Sequence, residues 1–159
     1  MKTIRNALLI GLAAAAISAA GAEDNQAIKQ DMAQLQGEWS MVSGSADGYA
    51  LPDGMLGNSK RVCQGDETTV TVGGQLFMKA KFTIDPSRKP KTIDYLMTDG
   101  PTKGKRQLGI YELDGATVKF CFGSPGAERP AEFASKTGDG RTLSVWKRHK
   151  ETAAQPKQK

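Results

Sequence analysis

The chain has 159 residues, the size of one domain, with 22 Lys+Arg against 17 Asp+Glu and a net charge of +5. That surplus is small, and Lys150, Lys157 and Lys159 lie in a polar tail, which leaves no case for a nucleic-acid protein with its clustered basic face. The single histidine, His149, lies next to the polar tail, which speaks against a positioned catalytic imidazole, and one histidine makes no His-rich metal centre.

The first 22 residues read as a signal peptide. Lys2 and Arg5 supply a positive start, and Ala7 to Ala20 is an apolar run broken only by Gly11 and Ser18. Ala20-Gly21-Ala22 is a small-x-small cleavage site, followed by Glu23-Asp24. The run is too short to span a bilayer comfortably. No cysteine sits at the site to take a lipid anchor. Cleavage after Ala22 removes two cations, leaving 20 against 17 acidic residues and a net charge of +3. The expected product is a periplasmic or secreted protein with no integral membrane segment. Export also permits a disulfide between Cys63 and Cys121, although two free thiols fit the sequence equally well.

A short leader helix is expected over residues 25 to 35, with residues 23–34 as the leader segment and the barrel domain starting at 35. Ile28, Met32 and Leu35 give it one apolar face, and Asn25 is its candidate cap. After Gly37 the apolar period falls to two. Ser43 to Asn58 is the longest irregular stretch, with Gly44, Gly48, Pro52, Gly54 and Gly57, and reads as either a lid or a loop without a role. Lys60–Gln64 is a short strand. Glu67–Val72 pairs through Gly73-Gly74 with Leu76–Ile84, whose Leu76, Met78, Ala80, Phe82 and Ile84 face inward. In Thr92–Thr98 the inward set is Ile93, Tyr95 and Met97, and Gly100-Pro101 ends the strand.

Gln107–Leu113 and Ala116–Phe122 form a hairpin about Asp114-Gly115. With those two residues as the turn, Leu113 pairs with Ala116 and Tyr111 with Val118. Gly109 then lies opposite Phe120, making room for its ring. Tyr111, Val118, Phe120 and Phe122 share one face, while Cys121 lies on the other, opposite Leu108 and beside Ile110. Ala131–Ser135 is a short strand candidate. Thr142–Arg148 is the last strand, with Leu143 and Val145 on one face, and residues 149–159 form a disordered tail. The resulting fold class is all-β, an antiparallel barrel of about eight strands spanning 35–148.

Gly37-Glu38-Trp39, opening the first strand after a helix, resembles the lipocalin signature. That resemblance implies a structural set of Gly37, Trp39 and a basic residue near the end of the last strand, Arg148, with Lys147 second. The pair would be a cation–π contact worth about 0.5–2 kcal/mol. Longer matches run from Leu35 to Trp39, from Asp47 to Pro52 and from Ile84 to Asp94. Others are Gly109–Gly115, Lys119–Phe122 and Arg129–Lys136. These resemble a family of exported bacterial proteins, expanded in planctomycetes, with a lipocalin-like fold and no established activity. The chain departs from that pattern at Ala116, where the family often has an acidic residue, and at Cys63.

No catalytic set, metal site or cofactor is implied. Asp94, Asp99 and Glu112 are the available acid–base carboxylates, but outward or turn positions make them solvated surface charge. Gly100-Pro101-Thr102-Lys103-Gly104-Lys105 resembles a phosphate loop in outline only. It has three residues between its glycines and Arg106 where Ser or Thr should stand. The leading expectation is a non-enzymatic barrel that binds a small apolar molecule, lined by Phe82, Tyr95, Met97, Tyr111 and Phe120. The alternative is a cell-envelope interaction or structural module with a filled barrel. Its cue is an outer apolar face at Leu108, Ile110, Cys121, Phe77 and Trp146.

Overall fold

Period-two alternation from residue 37 onward builds one continuous wall of antiparallel strands, seen in a computed structural model that describes residues 17–149. The strands are β1 (Gly37–Ala46), β2 (Tyr49–Ala50), β3 (Ser59–Gln64), β4 (Glu67–Val72) and β5 (Gln75–Asp85). They continue with β6 (Lys91–Asp99), β7 (Arg106–Asp114), β8 (Thr117–Phe122) and β9 (Thr142–Arg148). Each strand from β3 to β9 pairs with its sequence neighbour, and β1 pairs with both β3 and β9. The wall is therefore a closed eight-stranded up-and-down barrel, which leaves no open edge. The two-residue β2 only extends one end of β1.

Helix α1 (Ile17–Leu35) precedes the barrel and is longer than its apolar stripe predicts. It runs unbroken through Ala22-Glu23, because the Ala-rich stretch has high helix propensity. Asn25 thus lies inside the helix rather than capping it. Residues 1–16 of the expected signal peptide and residues 150–159 of the expected tail lie outside the described residues. His149 is not frayed: its N–H donates to the Glu38 carbonyl at 2.9 Å. No helix among the described residues is long and apolar enough to cross a membrane.

The last turns of α1 pack on the barrel and close one end of it. Leu35 is buried and Met32 packs against the core. Asp31 accepts hydrogen bonds from Tyr111 Oη at 2.6 Å and Lys91 Nζ at 2.7 Å. Gln36 exchanges two hydrogen bonds with the backbone of Gly65 in the β3–β4 turn. Trp39 is fully buried, and its indole N–H donates to the Leu35 carbonyl at 3.0 Å. The Arg148 guanidinium lies 4.2 Å from the Trp39 ring centroid and donates to the carbonyls of Gln34 and Gln36. The lipocalin-type pair expected from Gly37-Glu38-Trp39 is thus present, with Arg148 and not Lys147 as its cation.

Several local expectations are corrected. Ser43–Asn58 is mostly regular. β1 continues to Ala46 against β9, a tight turn at Asp47-Gly48 leads into β2, and α2 (Asp53–Asn58) follows Pro52. The Asp114-Gly115 hairpin turns one residue later than expected, about Gly115-Ala116. Asp114 pairs with Thr117, Leu113 with Val118 and Tyr111 with Phe120. Gly115 takes the positive φ at the first turn position, so Asp114 can stay in the strand. The register moves by two residues, which leaves the faces unchanged. It brings Phe122 rather than Phe120 opposite Gly109. A Cβ on Gly109 would sit 2.4 Å from the Phe122 ring, so glycine is required at that position.

Leu76 faces solvent instead of the core. A bulge between β4 and β5 pairs Val70 with Met78 but Thr71 with Leu76, breaking the alternation at Phe77. Ala131–Ser135 forms no strand, because β8 and β9 pair directly with each other and leave no edge for it. The 123–141 connection instead crosses the outer wall. It buries Ile110 and Cys121, and Arg129 donates to the Gly109 carbonyl at 2.8 Å. Trp146 is also inside the barrel, since the pairing of Arg148 with Trp39 turns positions 144 and 146 inward. Of the outer apolar face expected at Leu108, Ile110, Cys121, Phe77 and Trp146, Phe77 stays exposed beside Leu76, while Ile110, Cys121 and Trp146 are buried.

The two cysteines are free thiols on opposite sides of the wall. Cys63 alternates with Ser59 and Arg61 on the inner face, whereas Cys121 faces outward with its Sγ 3.4 Å from the Ala134 carbonyl. A bridge between them would need one strand to turn over.

Candidate functional site

The core is filled at the α1 end and open at the other. Phe82, Tyr95, Phe120 and Phe122 stack through the middle, with Tyr95 and Phe122 ring centroids 4.2 Å apart. Beyond them lies a cavity of about 260 Å³ at the barrel mouth. Met41, Val70, Met78, Met97 and Trp146 line its wall together with polar Ser59, Arg61, Gln107 and Ser144, and Leu51, Met55 and Phe77 line its rim. The lining residues come from all eight barrel strands, so the cavity is a product of barrel closure.

The segment expected to be a loop supplies the rim. Gly44 has no side chain, which lets Leu51 pack onto β1; a Cβ there would lie 2.6 Å from Leu51 Cδ1. Leu51 N–H donates to the Gly44 carbonyl at 2.9 Å. The Ser59 hydroxyl donates to the Met55 carbonyl at 2.6 Å and ties α2 to β3. The short helix is therefore fixed across the opening at both ends.

Of the five residues expected to line a ligand site, Tyr95 and Met97 do so. Phe82, Tyr111 and Phe120 are core residues that do not reach the cavity. Phe82 packs on Tyr95 with ring centroids 6.4 Å apart, and Tyr111 is bonded to Asp31 at the closed end. Burial raises the Tyr95 phenol above its ordinary value, against the lowering effect of the neighbouring Arg61 charge. Burial is also the largest cause of the rise at Tyr111, reinforced by its hydrogen bond to Asp31 and the charge of that carboxylate.

Arg61 is the residue that sequence reasoning missed. It is 5% exposed and lines the cavity from the inner face of β3. Its cross-strand partners are the buried Trp39 and Val70. The Cζ atom lies 4.6 Å from the Phe120 ring centroid and 4.5 Å from that of Trp146. The available signal was the alternation of Lys60–Gln64. Facing Cys63 inward with the other small and buried positions also turns Arg61 inward and leaves Val62, 40% exposed, in solvent.

A larger groove of about 610 Å³ runs along the outer wall beneath Arg129 and Pro130, lined by Asp85, Arg88, Lys89 and Asp94. Its charges are largely matched: Arg129 pairs with Asp94 at 2.6 Å and Arg88 with Asp85 at 3.2 Å. A polar outer groove with neutralised charge is a weak ligand site compared with the mostly apolar cavity at the barrel mouth. Asp94 is thus an ion-pair partner on the wall, and Glu112 likewise pairs with Lys119 at 3.1 Å.

An eight-stranded antiparallel barrel, closed at one end by a helix and a Trp–Arg stack and hollow at the other, is a lipocalin-like barrel. No protein-family model, curated protein or solved structure matches this chain.

Proposed function

We propose that the chain is an exported, non-catalytic binding protein for a small, largely apolar molecule held at the barrel mouth. The observation that carries this reading is the 260 Å³ cavity with its wall of methionine, valine and aromatic side chains. Apolar walls release water on ligand entry, at about 0.8 kcal/mol for each buried methylene. The rival reading, an envelope interaction module with a filled barrel, keeps only Phe77 of its cue, because the 123–141 connection covers Ile110 and Cys121 and Trp146 lies in the core. Membership of the exported lipocalin-like family belongs to the same proposal and rests on the shared sequence motifs.

The test is calorimetric titration of the full chain with a series of 1-alkanols. Affinity should rise about fourfold per methylene and level off once the chain fills the cavity. Absence of saturable binding across the series would overturn the reading. Export rests on the Lys2/Arg5 start, the apolar run and the Ala20-Gly21-Ala22 site. Cleavage there would leave Asp31 and Leu35, the residues by which α1 grips the barrel, in place. Intact mass of the protein recovered from outside the cytoplasm should correspond to a chain beginning at Glu23. Retention of residues 1–22 would count against export by this route.

A further inference from the structure

A guanidinium inside an apolar barrel needs an electrostatic partner. Removing a cation from water is expensive unless an opposite charge and a full set of hydrogen bonds replace the solvent. Arg61 has only neutral partners. Its Nη1 donates to Tyr95 Oη at 2.6 Å and to Thr68 Oγ1 at 3.1 Å, and the rings of Phe120 and Trp146 flank it. Among the described residues, no carboxylate forms an ion pair with it. The one carboxylate buried with the core, Asp31, is already engaged by Lys91 and Tyr111 at the closed end. Nε of Arg61 is buried without any hydrogen-bond partner.

The pattern of used and unused donors is specific. Both hydrogen bonds leave from Nη1, so the edge formed by Nε and Nη2 stays free. That edge is the fork that matches the two oxygens of a carboxylate in parallel hydrogen bonds. One uncompensated cation matches one negative charge, whereas a doubly charged phosphate would bring a second charge into the barrel unpaired. The cavity that Arg61 lines is mostly apolar, its other polar side chains (Ser59, Gln107, Thr142 and Ser144 among them) are neutral, and it opens to solvent at the far end.

We infer that Arg61 anchors the head of a single-headed aliphatic carboxylate, whose tail lies along Met41, Val70, Met78 and Met97 toward the mouth. This rests on the apolar-cavity reading and names the ligand class for it. Tyr95 Oη fixes the orientation of the guanidinium from the opposite side.

The test compares octanoate with 1-octanol, equal in chain length and different in charge, by calorimetry on the full chain at neutral pH. Octanoate should bind about 10- to 100-fold more tightly, the range expected for a charge-assisted hydrogen bond. Arg61→Gln should abolish that preference while 1-octanol still binds. Arg61→Lys, which keeps the charge but not the fork, should retain part of it. Equal affinities in the wild-type protein would overturn the role of Arg61 and leave the cavity reading standing. Failure of both probes to bind would overturn both. An octanoate preference that survives in folded Arg61→Gln would also overturn it. Should the Gln variant not fold, the wild-type ratio and the Lys variant decide.

Discussion

Trp39→Ala is expected to lower the free energy of unfolding by about 3–5 kcal/mol, the cost of truncating a fully buried aromatic side chain. Small domains have about 5–15 kcal/mol in total, so the variant should lie close to its unfolding threshold. The indole is buried under α1, bonds the Leu35 carbonyl and carries the Arg148 guanidinium at 4.2 Å. Truncation therefore opens a cavity and unseats Arg148 at once. Arg148→Ala alone should cost less, and the two changes should be less than additive, because they share one contact. Urea titration followed through the remaining Trp146 reads all three variants. A loss below about 1 kcal/mol for Trp39→Ala would mean that the Trp–Arg closure is not a main element of stability.

Raising the pH should give the second-largest effect. Tyr95 and Tyr111 are both held protonated above their ordinary value of 10.0, and the Cys121 thiol is raised above 9.0, in each case chiefly by burial. A raised folded-state pKa means that the folded chain keeps protons the unfolded chain gives up. The stabilisation is complete below about pH 8 and is lost as the pH climbs past the unfolded values. Each tyrosine can cost up to about 1.4 kcal/mol by pH 11, one unit above its unfolded pKa. Urea midpoints should be level on this account near neutrality and fall steeply above pH 10. Tyr111→Phe should flatten that fall, and an unchanged alkaline limb in that variant would contradict the role given to burial and Asp31.

Much of the barrel was legible because strand alternation reports directly on faces. Ile93, Tyr95, Met97, Val118 and Phe120 all lie in the core as their parity requires. Glycine pairs located the tight turns, and a two-residue slip at Gly115 moved partners without moving faces. The misses arose where a nonlocal constraint overrides alternation. The bulge at Phe77 turned Leu76 outward. Direct β8–β9 pairing left Ala131–Ser135 without a strand to join. The closure of β1 on β9 placed Trp146 inside, and neither strand's own sequence specifies that pairing.

The site was less legible than the fold. An aromatic residue in an inward register is either core or lining, and only the packed structure divides Tyr95 and Met97 from Phe82, Tyr111 and Phe120. Arg61 was hidden because β3 is short and carries polar residues on both faces, so its sequence alone does not assign a buried side. The rim was hidden because Leu51 and Met55 lie in a glycine-rich stretch with no readable period.

The most direct test of the account is a crystal structure of the full chain grown with octanoate. The account predicts an extended chain inside the barrel mouth, its carboxylate within hydrogen-bond distance of Arg61 and its tail against Met41, Val70 and Met97. Octanoate seated only on outer lysines, or a barrel mouth closed by its own side chains in the presence of the ligand, would contradict it.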